Sequence, residues 1–136
     1  MVVDTLTEQH VALLKLAGDL GNLLDPDALA TNAGPAIDAL GKLASTLAAH
    51  LKLEDEQLYP SLLESDDPEV KGRAQQYVEE MSGIGAAFQA YVEKWTMEGS
   101  IAKDADGFIS QTGEIFAVLS QRIEREESGL FVLLKR

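Results

Sequence analysis

The chain has 136 residues with 23 acidic and 11 basic side chains, a formal net charge of −12, and no cysteine. Its length sets the expectation of one domain, residues 1–136, with enough surface to bury a core. The charge argues against nucleic acid or a membrane face as partner, and the missing cysteine excludes disulfides, thiolate catalysis, zinc fingers and cysteine-ligated iron–sulfur clusters.

The first residues lack both the basic and the apolar region of a secretory signal, and no stretch approaches the ~18 apolar residues of a membrane span, so the expected compartment is the cytoplasm. Leu6, His10, Leu13, Ala17, Leu20 and Leu24 recur at spacings of three and four, a helical stripe. Thr5 and Glu8 have the spacing of a capping box, and Asp25-Pro26-Asp27 ends the segment. Residues 25–34 read as a loop. A second helix follows from Pro35 through Ile37, Leu40, Leu43, Leu47, His50, Glu54, Leu58 and Leu62, and Pro60 is expected to kink or end it.

Ser65-Asp66-Asp67-Pro68 signals a third helix start. The stripe there is read as Ala74, Val78, Met81, Gly85, Phe88, Val92 and Trp95, closed by Gly99-Ser100. The fourth helix begins somewhere in 101–106 and carries Phe108, Ile115, Leu119, Arg122, Glu126, Leu130 and Leu133. No strand-like alternation competes. An all-α, up-down-up-down antiparallel four-helix bundle is the economical architecture.

The second and fourth helices align at an offset of 72: Leu43 on Ile115, Leu47 on Leu119, Glu54 on Glu126, Leu58 on Leu130, Tyr59 on Phe131. In that register His50 falls on Arg122, and an offset of 71 between the first and third helices puts His10 on Met81. The chain reads as two helical hairpins of common design. His10, His50, Glu54, Arg122 and Glu126 all occupy stripe positions where an apolar residue is expected. Buried charges are costly unless paired or bound to metal, so five polar groups at equivalent depth point to a shared polar centre of the kind that holds iron or manganese in bundles. Met81, Tyr59 and Phe131 read as core or cap residues. Asp55, Glu56, Glu124, Arg125 and Glu127 read as a solvated face.

His10 after Glu8-Gln9, His50-Leu-Lys-Leu-Glu54 with Asp-Glu-Gln-Leu-Tyr59-Pro60 behind it, and Arg122-Ile-Glu-Arg-Glu126 ahead of Leu130-Phe131 together resemble the hemerythrin-like (HHE cation-binding) family over essentially the whole chain. The resemblance implies a four-helix bundle. It also implies a di-iron centre built from a helix-one His, a helix-two HxxxE, a helix-three His and a helix-four HxxxE. His10, His50, Glu54 and Glu126 match that pattern as metal ligands. Met81 stands at the lost helix-three ligand position and Arg122 at the helix-four His.

Arginine stays protonated and cannot ligate, and methionine is a poor ligand for a hard iron ion. The expectation is a degenerate centre that binds at most one Fe, Mn or Zn ion, in sensing or stress response rather than dioxygen carriage. Arg122 is expected to replace the charge of the second metal and satisfy Glu54 and Glu126. Two alternatives stand beside this: a metal-free interaction or regulatory module with an unknown protein partner, and a mononuclear-iron enzyme acting on peroxide or oxygen. No serine–histidine–acid set, phosphate loop or zinc-protease motif supports an enzyme assignment.

Overall fold

The computed structural model describes residues 2–134, and all of their side chains except those of Val2, Met81 and Ser82. Among the described residues every regular element is helical. Four long rods form the body. The first is α1 (Val2–Gly21). The second is α3 (Gly34–Leu53), continued by a π turn (Glu54–Leu58) and α4 (Tyr59–Leu63). The third is α5 (Pro68–Trp95). The fourth is α7 (Ala105–Arg125), continued by a second π turn (Glu126–Phe131) and α8 (Val132–Leu134). Two short helices, α2 (Pro26–Thr31) and α6 (Ser100–Lys103), lie in the connections.

The breaks follow from side-chain chemistry. α1 closes at Gly21 in a tighter turn, the Leu23 N–H donating to the Leu20 carbonyl at 2.9 Å, and Asp25 caps α2, its carboxylate accepting from the Asp27 N–H at 3.0 Å, while Leu29 anchors that turn in the core at 2 % exposure. This is why 25–34 holds a helix where a loop is expected. Asp67 caps α5 through the Glu69 N–H at 2.9 Å ahead of Pro68, and Asp104 caps α7 through the Gly107 N–H at 3.0 Å. Gly99, with φ +78°, supplies the left-handed residue between α5 and α6. Thr5 forms no helix-start box, because α1 is already under way at Val2.

Two apolar clusters establish the antiparallel order. One joins Val3 and Leu6 to Leu58, Leu62, Val70, Ala74, Tyr77, Leu130 and Phe131, which are the start of the first and third rods and the end of the second and fourth. The other joins Leu13 and Leu20 to Leu40, Leu43, Leu47, Phe88, Tyr91, Trp95, Phe108 and Leu119, the opposite ends. Each buried leucine contributes roughly 1.5–3 kcal/mol. The α5 stripe differs from the expected one: Val78 is exposed at 38 %, while Tyr77 and Tyr91 are buried. Their ring bodies fill the core, and their hydroxyls reach the Arg125 carbonyl at 3.0 Å and the Thr112 hydroxyl at 2.6 Å.

Between the clusters lies a polar layer. His10 sits between Leu6 and Leu13, His50 and Glu54 between Leu47 and Leu58, and Arg122 and Glu126 between Leu119 and Leu130, all of them buried.

Candidate metal centre

The two carboxylates of the layer each open a π turn, Glu54 in the second rod and Glu126 in the fourth. The first turn accommodates Pro60. The proline has no N–H to give, and its ring would meet the carbonyl four residues back. The π turn shifts the ladder so that the Tyr59 N–H reaches the Glu54 carbonyl, and the rod continues instead of breaking. The extra residue leaves two consecutive side chains buried below each carboxylate, Leu58–Tyr59 and Leu130–Phe131. In the second turn Gly129 is required by a close approach, since a Cβ there would collide with the Tyr77 hydroxyl.

His10, His50, Glu54 and Glu126 each offer one donor atom, and these atoms lie within 4.8 Å of one another. His50 Nε2 is 2.9 Å from Glu54 Oε1, one turn further along the same rod. His10 Nε2 is 3.8 Å from Glu126 Oε1. The two rings are tilted with centroids 4.7 Å apart, and Phe131 stacks on His10 at 5.7 Å. Tyr59 donates to Glu126 Oε2 at 3.0 Å. His50 Nδ1 contacts Gln9 Oε1 at 2.8 Å.

The layer is poorly satisfied by the protein itself. Among the described residues, neither ring nitrogen of His10 and neither oxygen of Glu54 has a hydrogen-bond partner, although all four atoms are buried. Burial pushes the Glu54 carboxyl up to about 7 and the Glu126 carboxyl up to about 8, and for Glu126 the neighbouring Glu54 adds to the effect. Burial also holds both imidazoles below their ordinary value, with His50 adding to the effect on His10. Two neutral imidazoles and two carboxyls reluctant to ionise match the donor set that Fe(II), Mn(II) or Zn(II) takes. A divalent cation among them would meet one orphaned ring nitrogen of His10 and the orphaned carboxyl of Glu54, and would favour the ionised carboxylates. The residues present therefore fit a metal ion.

The other half of the layer is differently built. Arg122 is buried, with 7 % of its surface exposed. Its expected direct pairing with Glu54 and Glu126 is replaced by a hydrogen bond to Glu80 Oε2 from α5, at 2.5 Å. Arg125 donates to both oxygens of the same carboxylate, at 2.6 and 3.2 Å. The physical reason lies in the partners. Glu80 sits at the edge of the core and is held low by its hydrogen bonds to the two guanidiniums, so it offers a full negative charge. Glu54 and Glu126 are deep enough to resist ionising. Arg122 reaches Glu54 only as a nearby charge that favours its ionised form, the weakest influence on that carboxyl.

Met81, aligned with His10 in the sequence, lies outside the described side chains; its neighbour Glu80 carries the ionic contact. Arg125 and Glu127, expected on a solvated face, both reach this region: Glu127 Oε1 is 3.6 Å from His10 Nδ1. Glu80 and Gln9 are not legible as site residues in the sequence. Glu80 lies off the expected α5 stripe, and its partners are 42 and 45 residues away. Gln9 offers one signal, adjacency to His10.

The family model described as the hemerythrin HHE cation binding domain matches residues 1–134. Neither a curated protein nor a solved structure matches the chain. Among the described residues no helix is long and apolar enough to cross a membrane. With the match running nearly end to end, and a layer of histidines and glutamates between the apolar halves of the bundle, the chain belongs to the hemerythrin HHE cation-binding family.

Proposed function

We propose that this protein holds at most one Fe, Mn or Zn ion through His10, His50, Glu54 and Glu126, and serves sensing or stress response rather than dioxygen carriage. The convergence of these four donors within 4.8 Å carries the reading. A second ion is disfavoured because the Arg122 guanidinium is fixed in the layer by Glu80 and would repel a neighbouring cation. When bound, the single ion supplies Lewis acidity and, in the case of iron or manganese, one-electron redox capacity. Family-type dioxygen carriage needs two electrons from two irons.

This chain's residues do the rest. The imidazoles stay neutral at physiological pH because they are buried. Glu54 and Glu126 release protons as the cation enters, coupling loading to pH. Tyr59 holds one Glu126 oxygen in place, and Phe131 fixes the plane of His10. Metal analysis of protein purified without chelator, followed by titration with Fe(II), Mn(II) and Zn(II), tests the reading. One site per chain, lost on His50→Ala, supports it. Two tightly bound irons per chain overturn the stoichiometry, and no binding of any of the three ions favours the metal-free module.

A further inference from the structure

The two imidazoles of the layer are mounted on a common plan. Each turns Nε2 toward a buried carboxyl, His50 toward Glu54 at 2.9 Å and His10 toward Glu126 at 3.8 Å. Each turns Nδ1 toward a less buried acceptor, His50 toward Gln9 Oε1 at 2.8 Å and His10 toward Glu127 Oε1 at 3.6 Å. Of the two Nδ1 contacts, the one to Gln9 is of hydrogen-bond length and the one to Glu127 is not.

An amide oxygen can only accept. The ring nitrogen facing Gln9 Oε1 is therefore the protonated one, and a neutral His50 presents a bare Nε2 lone pair to the layer. That lone pair meets Glu54 Oε1, itself a lone-pair atom with no hydrogen-bond partner among the described residues. Two acceptors 2.9 Å apart are at rest only when a cation or a proton lies against both. Without an acceptor at Nδ1, the acceptor that stays within hydrogen-bond distance of the ring is Glu54 Oε1. The proton then moves to Nε2, where it blocks ligation.

We infer that Gln9 is a positioning residue that holds His50 in the tautomer able to ligate through Nε2. The inference rests on the metal-centre reading above and adds a residue outside the donor set. Helix α1 then serves the centre twice, because His10 supplies a donor and the residue before it orients the donor supplied by α3. Outer partners of this kind change metal affinity by about 10–100-fold when removed.

Nitrogen-15 NMR of histidine-labelled, metal-free protein at about pH 8, combined with Zn(II) titration, tests it on wild type, Gln9→Leu and Gln9→Glu. Leucine removes the acceptor at similar length, and glutamate restores it. Wild type is expected to show His50 with Nδ1 protonated and Nε2 bare. Gln9→Leu is expected to show the reverse tautomer and a Zn(II) affinity lower by about 10–100-fold, and Gln9→Glu to recover both. A protonated Nε2 in the wild type overturns the inference whatever the variants do, as does a Gln9→Leu protein with unchanged tautomer and Zn(II) affinity within about twofold of wild type. A protein that shows the tautomer switch yet takes up no metal keeps the role of Gln9 and removes the centre reading, so the two fail separately.

Discussion

Arg122 on α7 donates to Glu80 on α5, closing the second half of the polar layer with an ion pair between facing rods. The pair is asymmetric in depth, the arginine side chain 8 % exposed and the glutamate 30 %. Removing the arginine also takes away a positive charge that favours the ionised form of Glu54. Arg122→Ala should therefore destabilise the metal-free protein by about 1–3 kcal/mol, in the range for loss of a buried, networked side chain. Arg125→Ala should cost less, because Arg125 is 41 % exposed and its charge is screened by solvent. Denaturant melts of the two variants check this. Equal, small losses would mean that the buried position of Arg122 adds nothing.

The stability of metal-free protein should fall as pH rises from about 6.5 to about 8.5. Glu54 and Glu126 have folded-state values of about 7 and about 8, above the ordinary glutamate value near 4.3. Carboxyls raised in this way bind protons more tightly folded than unfolded. Their contribution is fully present below the unfolded value and is lost as pH passes up through 7 and 8. The imidazoles are lowered, so their loss of stability lies on the acid side, below about 6.5. Metal reverses the sign. A bound cation requires ionised carboxylates, so its affinity should rise over the window in which the metal-free protein weakens. Thermal melts at three pH values, with and without excess Zn(II), read both slopes. Parallel slopes would show that the cation does not act on these carboxyls.

Much of this arrangement is legible in the residues. The period of three and four places Leu6, His10 and Leu13 on one face, and the offset of 72 pairs Glu54 with Glu126, which the structure shows as the first residues of two equivalent π turns. The turns themselves are hidden, because an inserted residue changes which neighbour faces inward without changing composition. The α5 face is misread for a related reason. Tyr77 and Tyr91 count as amphipathic in sequence, and only their partners, the Arg125 carbonyl and Thr112, offset the cost of burying the hydroxyls. The Glu80 contact is invisible because a half-buried glutamate on a helix has no periodic signature, and its arginines lie on another rod.

Tyr59→Phe removes the donor to Glu126 Oε2 while leaving the ring in the core. The cost in metal-free protein should be about 1–2 kcal/mol, a lost hydrogen bond to a buried carboxyl. The Glu126 carboxyl should then become still harder to ionise, since the Tyr59 bond favours its charged form. Metal affinity at neutral pH should fall, and it should recover at higher pH where Glu126 is ionised in any case. An affinity loss of the same size at every pH would assign Tyr59 a packing role only.

The substitution of the second half can be reversed. Met81→His with Arg122→His returns an imidazole to each of the two positions at which the sequence departs from the family pattern. His10, His50, Glu54 and Glu126 already lie within ligating distance of one another. Removing Arg122 withdraws the fixed positive charge that disfavours a second cation, while Glu80 keeps Arg125 as its partner. The double variant should bind two irons per chain where the wild type binds at most one. Arg122→His alone should stay at one, because a single imidazole cannot hold the second ion against carboxyls that burial keeps protonated. Iron counts after anaerobic Fe(II) loading and gel filtration separate the cases. A double variant that folds, as judged by its helical circular dichroism, and still holds one iron or none would show that the loss of the second site does not lie in Met81 and Arg122.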